Sequence, residues 1–398
     1  MPWSEITPMS QRLEFVRLVQ QGEYTVAELC TIFGVSEKTA YKWLRRFRID
    51  GVAGLADRSH APHQPAHQLS AAVIGAIVAL RTRHPGWGPK KLRAALSARE
   101  PDTKWPAAST IGELLDRRGL VLHRRRRGPT AHAPWKGLHG PLHRAQEPND
   151  VWTADFKGHF RLRSGAYCYP LTVLDARTRY LLECRALPST ALAPVHTRFL
   201  HLFRTFGLPR VIRTDNGVPF AGVSALAGLS TLAVWWIRLG IRPERIAPGQ
   251  PQQNGQHERL HKTLKAEATK PPSPTMDDQQ RRFMSFQREY NQDRPHEALG
   301  QQPPASQYEP SPRRYPRRLP SPTYPVAVDL RRVSSLGTIY MRGQSIFLST
   351  TLEGEHVAIE ETNNDEWRIR FGDLQLGHYH DATQTFTPGC LWLNNQNL

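Results

Sequence analysis

Three carboxylates in this chain stand where an acid can do chemistry. Asp155 lies inside Val151-Trp-Thr-Ala-Asp-Phe-Lys, Asp215 closes Val211-Ile-Arg-Thr and opens Asn-Gly, and Glu258 lies in Asn254-Gly-Gln-His-Glu-Arg-Leu-His-Lys. Val151, Trp152, Phe156 and Phe160 around Asp155 favour a strand, where an ionised carboxylate is costly unless it is paired or bound to a cation. Three carboxylates brought together repel, and a hard divalent cation with oxygen ligands relieves them. Two Mg²⁺ ions (or Mn²⁺) held in this way activate a water or hydroxyl and stabilise the leaving oxygen of a phosphodiester. Taken singly, each residue also fits a capped turn or a solvated helix face.

The elements that must position them can be read locally. After the Pro/Gly turn at 248–252, the chain becomes helical around Gln253. Offsets of four and seven put Glu258, Lys262 and Lys265 on one solvent face, with Leu260 and Leu264 turned toward a core. Residues 151–157, 167–174 and 180–185 are strand-like runs with short joins, which predicts an antiparallel meander. A helix over 190–206, a strand at 211–213, a helix around 226–239 and a short strand near Ile246 follow. This order predicts an α/β unit with a mixed sheet and helices on both faces. A further helix over 281–291 carries Phe283, Phe286 and Tyr290 as a core stripe.

The phrases Trp152-Thr-Ala-Asp155-Phe, Thr214-Asp215-Asn-Gly217-Val-Pro-Phe220, Asn254-Gly255-Gln-His-Glu258-Arg and Tyr290-Asn-Gln-Asp-Arg-Pro295-His296 resemble the catalytic core of bacterial insertion-sequence transposases. Those enzymes share an Asp-Asp-Glu, ribonuclease-H-like core with retroviral integrases. The resemblance is strong over residues 148–310 and assigns metal binding and catalysis to Asp155, Asp215 and Glu258. It implies packing or supporting roles for Asn291 and His296. The interval from Asp215 to Glu258 is longer than in the best-known integrases, with the extra material expected within 221–239. A shifted register would make Glu267 the third carboxylate, although Asn254-Gly255 carries the match directly into Glu258.

A formal net charge of +18 over 398 residues points to a polyanionic partner. No apolar run is long enough to span a membrane and no signal-peptide pattern opens the chain, so a cytoplasmic, nucleoid-associated protein is expected. Cys30, Cys168, Cys184 and Cys390 are scattered and fit reduced structural thiols. No cysteine pair accompanies His60, His63 and His67, which disfavours structural zinc.

The N-terminal part predicts DNA-reading helices. Thr25-Val-Ala-Glu28 is a capping box, and Leu29, Ile32 and Phe33 give the helix an apolar face before Gly34. Ser36 caps a second helix, with Ala40, Trp43, Leu44 and Phe47 inward and Lys38, Thr39, Lys42, Arg45 and Arg46 outward. This is a helix-turn-helix pattern whose outward residues are candidate DNA contacts. A second helical unit over 71–118 includes His84-Pro-Gly-Trp87-Gly-Pro-Lys-Lys91, which resembles the second helix-turn-helix, or winged-helix-like module, of the same transposases. Ser109 is its expected last N-cap.

The resulting plan has a helix-turn-helix domain at 1–60, a second at 61–123 and a basic linker at 124–147. The ribonuclease-H-like core at 148–310 is followed by a Pro/Arg-rich linker at 311–325 and a small β-barrel at 326–398. The function implied is a transposase that binds an element's terminal repeats in double-stranded DNA, cleaves phosphodiesters and transfers 3′-OH ends into target DNA. Lys262 and Lys265 would steer the DNA end, and a homodimer or larger assembly would join two ends. A catalytically silent DNA-binding regulator derived from a transposase is the alternative, and a plain nuclease would share the same metal site.

Overall fold

The computed structural model describes residues 7–58, 69–121, 142–222, 228–247, 250–325, 328–363 and 365–393. The chain divides into two compact units, Met1–Ser70 and Ala71–Leu398.

The first unit contains α1 (Pro8–Gln21), α2 (Val26–Phe33) and α3 (Glu37–Asp50). The expected capping box is present: Glu28 N donates to Thr25 Oγ1 (3.3 Å), and Thr25 N donates to Glu28 Oε2 (2.8 Å). Gly34 ends α2 at φ +62°, a conformation glycine adopts without a Cβ penalty. Leu29, Ala40 and Trp43 are buried as expected, but Ile32 is 64% exposed and Cys30 takes its place in the core. The apolar face of α2 turns because Phe33 packs edge-on against Phe15 of α1, with ring centroids 5.4 Å apart.

The second unit opens with α4 (Ala71–Arg83), α5 (Pro89–Arg99) and α6 (Ala108–Arg117). Ile77, Trp87, Leu92, Leu96, Trp105, Ile111 and Leu115 form their shared core. Ser109 is not an N-cap: α6 starts after Ala107, with no side-chain cap. Buried Trp105, its indole N–H given to the Glu100 carbonyl, fixes the chain two residues earlier than the capping rule expects. The basic run 123–127 and His60, His63 and His67 lie outside the described residues.

The meander follows as β1 (Val151–Phe156), a two-residue β2 (Phe160–Arg161), β3 (Tyr167–Asp175) and β4 (Leu181–Leu187). Next come α7 (Leu192–Phe206), β5 (Val211–Thr214), α8 (Thr231–Arg238), β6 (Arg242–Arg245), α9 (Gly255–Glu267) and α10 (Met276–Gln292). The six-stranded sheet runs β2-β3-β1-β5-β6, and β4 also pairs with β3. β1 is antiparallel to β3 and parallel to β5, and β5 is parallel to β6, so the sheet is mixed as expected. Alternation along the strands supplies two faces. Trp152, Ala154, Leu171, Val173 and Ile212 pack with Phe199, Phe203, Trp235 and Trp236 of α7 and α8. Leu174, Leu181 and Cys184 pack with Leu260 and Leu264 of α9 and Phe283, Phe286 and Tyr290 of α10.

α8 begins later than periodicity predicts, at a Ser230 cap whose hydroxyl accepts from Ala233 N (3.2 Å). Residues 226 and 227 of the expected helix lie outside the described residues. Six of the eight residues of α8 are buried, because it serves two cores at once. Trp235 and Trp236 face the central sheet, while Ala233, Val234 and Ile237 belong to the C-terminal core.

The Pro/Arg-rich segment 311–325 runs packed against the core. Ser311 N donates to the Phe206 carbonyl, Leu208 N donates to the Arg313 carbonyl, and Arg313 Nη1 donates to the Pro209 carbonyl. Beyond it lie β7 (Asp329–Arg332), β8 (Thr338–Met341), β9 (Gln344–Phe347), β10 (His356–Asn363), β11 (Glu366–Phe371), β12 (Leu374–His380) and β13 (Thr385–Trp392). The expected small barrel is not what the described residues form. They make an open five-stranded sheet, β13-β12-β11-β10-β7, and a separate β8–β9 hairpin. β7 and β13 remain its two edges, and α8 covers part of the apolar surface that closure would otherwise bury.

Candidate functional site

Asp155 lies near the C-terminal end of β1. Trp152 and Ala154 point toward α7 and α8, so period-two alternation turns Asp155 to the α9 face. Its cross-strand partner is Thr172 on β3. Asp215 follows the last residue of β5, the parallel neighbour of β1, so the two acids stand at the same end of adjacent strands. Asp215 Oδ1 accepts from Gly217 N (3.1 Å), and Asn216 Nδ2 donates to the Ile246 carbonyl (2.8 Å). A Cβ at Gly217 would come within 3.1 Å of Asp215 Oδ2, so the glycine leaves room for the carboxylate.

Glu258 is an exposed residue in the first turn of α9. Buried Leu260 and Leu264 anchor that helix and leave Glu258, Lys262 and Lys265 on its exposed side. Burial first, then the negative charge of Asp215 and, to a smaller extent, that of Glu258, raise the Asp155 carboxyl to about 7, against the Phe156 N–H and Lys157. Asp155 thus feels both other predicted carboxylates. Glu267 belongs elsewhere: Arg294 Nη1 donates to its Oε1 (3.0 Å), and it lines a groove beside α4 and α6.

Sequence reasoning missed His257 and His261. Both are buried on the inner face of α9, one helical turn apart, and their rings meet edge-on at 5.4 Å. Burial drives the His257 imidazole down to about 4 and the His261 imidazole well below its ordinary value. His261 Nδ1 is 3.8 Å from Asp155 Oδ2. The i, i+4 spacing of two histidines flanking Glu258 was the available signal. It was overlooked because Leu260 and Leu264 alone already defined the inner face.

Residues 145–251 and 239–304 match integrase core domains, residues 11–63 a helix-turn-helix domain and residues 39–115 a homeodomain-like domain. A relative from Xanthomonas euvesicatoria, the uncharacterized 39.2 kDa protein of insertion element IS476, is 30% identical over 272 residues, which is 68% of this chain and 73% of that protein. This chain belongs to the insertion-sequence transposases with an integrase-type core. The Gag-Pol polyprotein of baboon endogenous virus (strain M7) is 29% identical over 186 residues, 46% of this chain but 10% of the polyprotein. Among solved structures, a chain of the simian T-cell lymphotropic virus intasome in complex with PP2A regulatory subunit B56 gamma aligns at a TM-score of 0.36 and 17% identity. That alignment covers 75% of this chain and 97% of the other.

The predicted DNA contacts of the transposase chain fall into two groups. On α3, Lys38, Lys42 and Arg45 are exposed. Thr39 and Arg46 are half-buried: the Thr39 hydroxyl lies 3.0 Å from that of Ser36, and the Arg46 guanidinium sits 4.9 Å from the Trp43 ring centroid. On α9, Lys262 and Lys265 line a groove of about 880 Å³ together with Arg81 and Lys270. Asn291 is a packing residue of the core, since its side chain accepts from Leu181 N (2.8 Å) and donates to the Leu181 carbonyl (2.9 Å). Among the described residues, no helix is long and apolar enough to cross a membrane.

Proposed function

We propose that this transposase binds the terminal repeats of its element, cuts a phosphodiester to release a 3′-OH, and transfers that end into target DNA. The observation that carries this reading is the placement of Asp155 and Asp215 at the same end of two paired parallel strands, with Glu258 in the first turn of α9 near enough for its charge to act on Asp155. A half-buried carboxyl raised by burial and by like charges fits a divalent cation, because the ion offsets both costs and the donors are hard oxygens. Asp155, Asp215 and Glu258 would hold two Mg²⁺ (or Mn²⁺) ions, which when bound lower the nucleophile's pKa and offset charge on the leaving oxygen.

The chain's own residues do the rest. Leu260 and Leu264 hold the Glu258 helix against the sheet, and Gly217 gives the Asp215 carboxylate its space. Lys262 and Lys265 would meet the phosphates of a DNA end, and the cations of α3 those of the recognition sequence. Joining two ends calls for a dimer or larger assembly on DNA.

The test is cleavage of labelled duplex carrying the element's ends in Mg²⁺ by wild type and Asp155→Asn. The reading expects nicked and joined products from wild type alone. Equal activity in both proteins would place the chemistry elsewhere. Tight binding with no cleavage by either would favour a silent regulator.

A further inference from the structure

One polar cluster beside Asp155 is unused by that reading. Thr172 Oγ1 donates to the Asp155 carbonyl (3.1 Å) and lies 3.2 Å from His257 Nδ1 and 2.8 Å from His261 Nε2. A threonine hydroxyl has one hydrogen and two lone pairs. The carbonyl can only accept, and with the hydroxyl hydrogen directed there both rings donate to the hydroxyl oxygen. His257 then carries its proton on Nδ1 and His261 on Nε2. In a neutral imidazole the other nitrogen is a lone pair.

For His261 that lone pair is on Nδ1, and it faces Asp155 Oδ2 at 3.8 Å from a side chain only 10% exposed. Once Asp155 is ionised, two acceptors confront one another across that gap. The distance is too long for a hydrogen bond. It is near the span of two atoms sharing one ion through bonds of about 2.0–2.2 Å, which is roughly 3–3.6 Å. Asp155, His257 and His261 each offer a ligand atom, all within 4.8 Å of one another, and fully buried His257 has no hydrogen-bond partner at Nε2.

We infer that His261 Nδ1 is a further ligand to the cation held at Asp155, with Thr172 and His257 as the positioning groups that fix its ring. The inference rests on the reading that Asp155 binds a cation. Imidazole suits Mn²⁺, Co²⁺ and Zn²⁺ better than Mg²⁺, which prefers oxygen ligands. His261 therefore biases the site toward Mn²⁺ relative to one built from carboxylates alone.

The test loads the full chain with Mn²⁺ alone and records electron spin-echo envelope modulation, which detects nitrogen bonded to the ion. Wild type should show ¹⁴N coupling. His261→Gln should lose it and bind Mn²⁺ about 10-fold more weakly, with a smaller change for Mg²⁺, while His257→Gln should retain the coupling. Bound Mn²⁺ without ¹⁴N coupling in wild type overturns the inference, whether or not the variants fold. So does coupling that persists in His261→Gln. In both cases Mn²⁺ binding that is lost in Asp155→Asn leaves the carboxylate reading intact. Wild type that binds no Mn²⁺, or Asp155→Asn that binds it equally well, overturns both.

Discussion

Replacing Asp155 by Asn should make the metal-free protein more stable. Burial first, then the charges of Asp215 and Glu258, lift its carboxyl from 3.8 to about 7. A folded value above the unfolded one means that the ionised group opposes folding. The cost is absent below pH 3.8, grows between 3.8 and 7, and is complete above 7. Tenfold in proton affinity is about 1.4 kcal/mol, which puts the full cost on the order of 4 kcal/mol. The side chain keeps 22% of its surface in water, and screening brings the expected gain to about 2 kcal/mol. Asn has the same shape without the charge. In EDTA at pH 8, Asp155→Asn should therefore unfold a few degrees above wild type in a thermal melt. The gap should shrink to less than half at pH 5. Saturating Mg²⁺ should reverse the order, because the ion stabilises only the protein that binds it. A variant that melts at or below wild type at pH 8 in EDTA would refute the claim that burial and neighbouring like charges make the ionised Asp155 carboxylate oppose folding.

Other perturbations separate packing from chemistry. Asn291→Ala leaves the buried Leu181 N–H without its acceptor, while the Leu181 carbonyl keeps the Gln287 amide (2.9 Å), and should cost about 1–2 kcal/mol by chemical denaturation; cleavage per folded molecule should be unchanged. Glu244→Ala strips Arg213, 12% exposed, of its carboxylate partner on the strand pair beside Asp215, leaving it only the His143 carbonyl, and should cost about 3 kcal/mol. Lys262→Ala and Lys265→Ala should each reduce the salt dependence of DNA binding by about one in the log–log slope, with Mn²⁺ affinity unchanged.

The central sheet and the placement of the acids were legible because each depends on short-range patterns. Alternation around Trp152 and Ala154 fixes the side of β1 on which Asp155 emerges, and Leu260 and Leu264 fix the orientation of α9. What was not legible depends on distant partners. Ile32 is exposed because α1 supplies Phe15 to the other side of α2. The C-terminal strands read as a barrel because strand spacing is the same in an open sheet. Only the contact with Ala233, Val234 and Ile237 shows how that sheet covers its core. His257 and His261 looked like two more polar residues on a charged helix until Thr172, 85 and 89 positions away, drew them inward.

The central claim is that Asp155, Asp215 and Glu258 act as one site. The most direct measurement is single-turnover cleavage of end DNA in Mg²⁺ by Asp155→Asn, Asp215→Asn, Glu258→Gln and their pairwise combinations, with Glu267→Gln as the control. One shared site predicts that each single change removes activity as completely as any pair, because groups acting as a unit are not additive. Glu267→Gln should cleave at the wild-type rate. Cleavage surviving Glu258→Gln and lost in Glu267→Gln would contradict the account.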